Sequence, residues 1–326
     1  MIVEAATFEL AVIEGEPQRF DQMKRGADVG AQANDIAGVG SDLGRYEHDV
    51  QVHPHDATGH PLARPRCFGQ IVGMGDTDTA DFEGKVVAIS GAASGMGAAS
   101  AQLFAAAGAT VHGIDIDPAL VATSQHIEGS THVGDIADTE FCQRTIDAIA
   151  EQNGRIDVLV NAAGTIHRAD ALGTSDEDFA RVMAVNVNGT FNLSRAAVAH
   201  MVEAQRGAIV NFGSVWGAVG SAGVTAYCTS KGAVHQLTRA MALDHVEQGI
   251  RVNAVAPGEV RTPMLVSQRE TPPSESELQA LAEATIPMKR LAEPVEIARV
   301  VLFLASDAAS YITGEIVHVD AGYAAR

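Results

Sequence analysis

A chain of 326 residues, 46% apolar and 19% charged, has the material for a substantial core. Its 41 acidic side chains outnumber 22 basic ones, and the formal charge of −19 argues against nucleic acid or an anionic membrane as a partner, because phosphate binding needs a basic surface. Three scattered cysteines, no signal-peptide pattern and no apolar run long enough for a bilayer make the cytoplasm the expected location.

Residues 1–83 are acidic in their own right, with six basic against fifteen acidic side chains. Ile2 to Ile13 reads as a strand, and the stretch 18–25 as the start of a helix. Beyond these, Gly, Asp, His and Pro dominate through Asp81 with no sustained period of 2 or 3.6, which predicts an irregular, poorly ordered N-terminal extension. His48, His53, His55 and His60 lie here, but with neither finger spacing nor an HExxH motif they predict no metal site.

From Gly84 onward the pattern alternates. Runs rich in Val and Ile at 85–90, 110–114, 131–134, 156–160, 208–212, 251–255 and 315–319 are separated by amphipathic stretches, chief among them 97–107, 139–152, 176–201, 225–247 and 294–305. Apolar strands alternating with helices predict a parallel sheet of about seven strands covered on both faces. Residues 84–326 thus read as one doubly wound α/β domain.

The first run leads into Gly91-Ala92-Ala93-Ser94-Gly95-Met96-Gly97 and then an alanine-rich helix. Glycines at a strand-to-helix turn let backbone N–H groups approach a pyrophosphate at the positive end of the helix dipole. Asp115 ends the second strand, eighteen residues past Gly97. A carboxylate there can accept both ribose hydroxyls and would repel a 2′-phosphate, so NAD is favoured over NADP. Asp117, its rival, precedes Pro118 and reads as a helix cap. Asp135, closing the third strand, reads either as a partner for the adenine amino group or as a strand-end cap.

Tyr227 and Lys231 are four residues apart, hence on one face of the predicted helix 225–247. An ammonium beside a phenol favours phenolate and makes a general acid/base. Ser214, thirteen residues upstream, can hydrogen-bond the same substrate oxygen. Taken alone, the pair also fits an ordinary surface helix pair.

In order along the chain stand the glycine loop, Asn161-Ala162-Ala163-Gly164, Val185-Asn186-Val187-Asn188-Gly189, Asn211-Phe212-Gly213-Ser214, Tyr227 to Lys231, Asn253-Ala254-Val255-Ala256-Pro257-Gly258 and Val319-Asp320-Ala321-Gly322. This series resembles the classical short-chain dehydrogenase/reductase family over roughly residues 84–324. Ala162 stands where the family usually has a second Asn, and Ala321 where it usually has Gly. The resemblance implies a Rossmann fold and an oxidoreductase that interconverts a secondary alcohol and a ketone by hydride transfer, on a small-molecule substrate. It implies a catalytic set of Asn186, Ser214, Tyr227 and Lys231, with Tyr227 as acid/base, Lys231 lowering its pKa and bonding the nicotinamide ribose, Ser214 orienting the substrate oxygen, and Asn186 holding a relay water where its helix is distorted. It places Gly91, Ser94, Gly95, Met96 and Gly97 at the pyrophosphate, Asn161 and Gly164 at the adenosine ribose, Pro257 and Gly258 beneath the nicotinamide, and Val260 and Thr262 near its carboxamide and phosphates. Family members are usually homotetramers or homodimers.

A 3-oxoacyl reductase of fatty-acid type is the competing enzymatic reading; such relatives commonly use NADPH with basic residues near the glycine loop, and Asp115 counts against it. A non-catalytic NAD-binding regulatory protein is opposed by the complete Ser-Tyr-Lys set. On the substrate side, the weakly patterned segment 261–287 is predicted as a mobile lid. Val215, Trp216, Val219 and Met264 are candidates for an apolar pocket. His167-Arg168-Ala169-Asp170 resembles a stretch in relatives acting on sugar acids, but its residues read first as a solvated loop.

Overall fold

The computed structural model describes residues 82–123, 129–269 and 271–325. The predicted first strand, the helix start, the irregular extension through Asp81 and the four histidines lie outside the described residues. Seven parallel strands form one sheet in the order β3-β2-β1-β4-β5-β6-β7. They are β1 (Val86–Ser90), β2 (Thr110–Asp115), β3 (Thr131–Val133), β4 (Val158–Asn161), β5 (Gly207–Phe212), β6 (Ile250–Pro257) and β7 (Ile316–Val319). All seven predicted runs are strands, within a few residues at their ends.

The strands form because their β-branched side chains can be buried on both faces of the sheet. In β1, Val87 and Ile89 face α1 (Gly95–Ala106) and α9 (Pro294–Ala305), packing with Phe104, Val301 and Leu304. Val86 and Ala88 face the other way, toward α3 (Thr139–Asn153), α5 (Thr190–Ala204) and α6 (Thr225–His245), with Ile146, Ile149, Leu193 and Met241. The two-residue period of the strand builds both core layers from one sheet. Phe82, which the sequence placed on the extension side of the boundary, is buried and meets Phe104 edge-on at 4.8 Å between ring centroids.

Two segments differ from expectation. The predicted helix 176–201 is α4 (Asp176–Met183), a wider π turn at Ala184–Gly189, then α5. The predicted lid contains α7 (Pro263–Val266) and α8 (Glu275–Thr285). A capping box starts α8: Ser274 Oγ accepts from Glu277 N, and Glu277 Oε2 accepts from Ser274 N at 2.7 Å. Leu265, Leu278, Ala282, Ile286 and Leu291 give this segment a small core of its own. A short helix, α2 (Leu120–Thr123), follows β2. No helix among the described residues is long and apolar enough to cross a membrane.

The register sets Ser90 beside Ile114 and Asn161, and Asn161 beside Asn211. The C-terminal ends of β2, β1, β4 and β5 therefore finish level. The strand order reverses between β1 and β4, where an open α/β sheet leaves its binding crevice.

Candidate active site

A cleft of about 450 Å3 opens at that crevice. Its floor is the turn from β1 into α1. Gly91 has φ +72°, and a Cβ there would press on the Ala162–Ala163 backbone at 2.7–2.8 Å. A Cβ on Gly97 would overlap the Gly91 carbonyl oxygen. Both positions thus need glycine for the turn to close. Gly91, Ser94, Gly95, Met96 and Gly97 all line the cleft, at the N-terminus of α1.

Asp115 lines the same cleft from the end of β2. Its Oδ2 accepts from Ala93 N at 2.9 Å and its Oδ1 from Asp117 N at 3.0 Å, which ties the glycine loop to the strand end. Each oxygen keeps a further lone pair for a donor from the cleft. Asp117 accepts from Ala119 N at 2.9 Å, the local capping bond expected of it. Asp135 lines the cleft, while its Oδ1 accepts from Ala137 N at 2.9 Å, so its carboxylate both caps the strand end and faces the space. Gly164 lines the cleft; Asn161 does not. The Asn161 side chain turns inward and donates to Ser194 Oγ and Asn211 Oδ1, each at 2.9 Å, bracing β4 against α5 and β5. Ile116, Ile136, Thr165, Arg181 and Val185 complete the walls and were not singled out in the sequence. Glycine backbone, a helix N-terminus, a strand-end carboxylate and apolar walls fit a nicotinamide dinucleotide.

A smaller cavity of about 70 Å3 adjoins it, with Met96, Thr262 and Met264 lining both. Ser214, Tyr227, Pro257, Gly258 and Val260 line this second space. Val215, Trp216 and Met264 are in its wall as expected, whereas Val219 is exposed elsewhere.

Tyr227 and Lys231 project from α6 and are buried rather than paired on the surface. Lys231 Nζ donates to Phe212 O at 2.7 Å and lies 5.6 Å from the Tyr227 ring centroid. Burial pushes the lysine pKa down to about 8. It pushes the Tyr227 phenol up to about 12, with Glu259 and Cys228 adding to the rise and the hydrogen bond with Ser214 and the charge of Arg168 opposing it. Loss of water thus opposes the expected lowering of the phenol pKa by Lys231 assisted by the positive nicotinamide ring.

Ser214 begins the turn Val215–Gly217, where its Oγ accepts from Trp216 N at 3.2 Å. Its own N–H donates to His235 Nε2 at 3.4 Å. Asn186 sits in the π turn, the local distortion expected at that position. Its Oδ1 accepts from Thr165 N at 2.7 Å, and its Nδ2 donates to Thr165 O and Ser230 Oγ at 2.9 Å each. Gly164 is the meeting point: a Cβ there would lie 3.2 Å from Asn186 Oδ1 and 3.6 Å from Lys231 Nζ.

Arg168 corrects the solvated-loop reading of 167–170, since it is half-buried in the wall of the small cavity. Only Asp170 behaves as that reading expected, accepting from Leu172 N and Gly173 N in an exposed turn. Glu259 lines the same wall. The one sequence signal for it was its place between Gly258 and Val260, both already assigned to the cofactor.

A family model described as enoyl-(acyl carrier protein) reductase matches residues 91–324. A galactitol 2-dehydrogenase (L-tagatose-forming) of Cereibacter sphaeroides is 43% identical over 248 residues, covering 74% of this chain and 96% of that protein. A 3-oxoacyl-[acyl-carrier-protein] reductase of Thermotoga maritima is 40% identical over 247 residues, covering 74% and 98%. Among solved structures, the aldohexose dehydrogenase of Thermoplasma acidophilum in ligand-free form superposes with a TM-score of 0.70 at 32% identity, over 77% of this chain and 97% of that one.

Proposed function

The chain belongs to the short-chain dehydrogenase/reductase family, and from that premise we propose that it is an NAD-dependent enzyme interconverting a secondary alcohol and a ketone. The observation that supports this most is convergence: Ser214 and Tyr227 line a cavity that shares Met96, Thr262 and Met264 with the dinucleotide cleft. A substrate carbon bound there lies next to the space for a nicotinamide. When bound, the nicotinamide supplies the hydride acceptor or donor and, oxidised, a positive ring charge.

Tyr227 takes the hydroxyl proton in oxidation and returns it in reduction. Ser214 Oγ accepts from Trp216 N–H, and its one hydrogen, which otherwise serves the Tyr227 oxygen, can turn to the substrate oxygen. Lys231, with a pKa of about 8, carries its charge at neutral pH, and gives up a proton more readily than an exposed lysine would. Both amide hydrogens of Asn186 are taken up by Thr165 and Ser230. Its relay role therefore runs through Oδ1, which lies beside Gly164 as Lys231 Nζ does.

Asp115 supports NAD over NADP, because a carboxylate at the end of β2 accepts ribose hydroxyls and repels a 2′-phosphate. Residues 84–326 form the catalytic domain in this reading, acting as a homo-oligomer in the cytoplasm. The Thermotoga relative keeps 3-oxoacyl reduction as a second reading.

Cofactor reduction measured across secondary alcohols, polyols, sugar acids, hydroxysteroids and, in reverse, a 3-oxoacyl thioester tests the assignment. Tyr227→Phe should lower turnover by roughly 10²–10⁴-fold, the usual weight of a general acid/base, while the dinucleotide still binds. Substantial activity in that variant would overturn the acid/base role.

A further inference from the structure

One wall of the small cavity takes no part in the chemistry of Ser214 and Tyr227. Arg168 reaches it from the loop after β4, and Glu259 from the turn after β6. Arg168 Nε donates to Ser267 O at 3.1 Å, and Nη2 donates to Met264 O and Leu265 O at 3.3 and 3.2 Å. One edge of its planar fork is thus committed to the backbone of α7 and the residues just after it. A carboxylate is best held through such a paired edge, so this arginine is better placed to strap that segment down than to grip an acid.

Glu259 has no such commitment. It is half-buried in the cavity wall with its carboxylate still reached by water, and among the described residues no group donates a hydrogen bond to that carboxylate. Burial raises its pKa above the ordinary carboxylate range, against the charges of Arg168 and Arg269. Trp216, in the same lining, has a buried indole N–H that also lacks an acceptor. Keeping the Trp216 N–H from water without a partner is costly, and in a cleft such a group beside an unbonded carboxylate marks a place where a ligand completes the bonding. An unmatched acceptor and an unmatched donor are together what a hydroxyl complements, since it both donates and accepts.

We propose that Glu259 is a specificity-determining residue that accepts a hydrogen bond from a second hydroxyl of the substrate, so that the enzyme acts on neutral diols, polyols or sugars in preference to sugar acids or monofunctional alcohols. The inference rests on the alcohol-oxidation reading above. A monofunctional alcohol leaves Glu259 unmatched, and a sugar acid brings a second negative charge to it. Sites built to bond a hydroxyl discriminate strongly against analogues that lack it.

Steady-state oxidation with NAD, or with NADP if that supports the faster rate, decides the matter on matched pairs. These are 2,3-butanediol against 2-butanol, and a hexitol against its aldonate. Wild type should favour the diol and the hexitol in kcat/KM. Glu259→Leu should reduce the diol-to-monoalcohol ratio by roughly 10- to 100-fold, the range for a lost hydrogen bond to a charged group, mainly through KM. Glu259→Gln, which keeps the size and one acceptor oxygen, should fall between and serves if the leucine variant does not fold. A ratio unmoved in the glutamine and leucine variants, or a wild-type preference for the aldonate, overturns the role of Glu259. If such a result comes with oxidation that still depends on Tyr227, the Glu259 role alone fails. Absence of Tyr227-dependent oxidation of any alcohol overturns the dehydrogenase reading and this inference with it.

Discussion

Tyr227 shows how one residue meets opposing demands. Burial shields the reacting oxygen from bulk water but pushes the phenol to about 12, well above neutral pH. Lys231 lies over the ring, 5.6 Å from its centroid, and bonds Phe212 O. The hydrogen bond from Ser214 works the right way and is not enough by itself. In the proposed mechanism the positive ring of an oxidised nicotinamide would add stabilisation and so link the acid/base to cofactor occupancy. Asp115 works at the other end of the cleft. Asp115→Ala removes an acceptor for ribose and also frees the Ala93 N–H that holds the glycine loop. NAD affinity should drop by roughly 10- to 100-fold and the NAD-to-NADP ratio should narrow, both read from dissociation constants. An unchanged ratio would sink the ribose assignment.

At the scale of elements, the site depends on departures from regular structure. The π turn between α4 and α5 widens the helix where Asn186 must reach Thr165 and Ser230. An uninterrupted α-helix through 176–201 would rotate that side chain away from them. The roof of the small cavity is α7, and the same segment is packed onto α8 through Leu265 and Leu278. Ala321 follows β7 with φ 55°, in the left-handed region that favours glycine, and its methyl meets the same cluster. Ala321→Gly relieves the backbone cost of that conformation, and we expect a gain of roughly 0.5–1 kcal/mol in unfolding free energy, measured by denaturant titration. A loss of stability would mean that the methyl contact with Leu265 and its neighbours outweighs the backbone term.

For the whole molecule, two buried histidines set an acid limit. His112 in β2 and His235 in α6 are each pushed down to about 4, with burial the largest cause. His112 is further affected by the charge of His132, and His235 by those of Arg239, His318 and Lys231. When unfolded, both take up a proton near the ordinary histidine value of 6.5. Between pH 6.5 and 4 the unfolded chain therefore holds more protons than the folded one, and stability falls as the pH falls. The loss should approach about 2 kcal/mol per pH unit between pH 6 and 5, above the range where most carboxylates titrate. Denaturation midpoints across that window test it, and a flat profile would mean the two histidines take up protons in the folded protein as readily as in the unfolded chain.

The seven strands and the glycine turn were legible in the sequence because each depends on local pattern, and so was the spacing on which the proposed roles of Asp115, Ser214, Tyr227 and Lys231 rest. Apolar runs need a sheet buried on both faces, and Gly91 and Gly97 need a turn without Cβ atoms. The capping box at Ser274 and Glu277 was equally local, but it lay in a segment whose weak periodicity read as a lid. Other features had no local signature. The inward turn of Asn161 is set by α5 and β5, and the place of Arg168 in the cavity wall and the unmatched carboxylate of Glu259 arise where the loop after β4, the turn after β6 and α7 meet. Residue types and spacing determined the fold and the chemistry proposed at the Tyr227 oxygen. Only the tertiary structure decided what surrounds that oxygen, because burial, charge and hydrogen bonding there come from segments nearly a hundred residues apart, as between Arg168 and the Met264–Ser267 carbonyls.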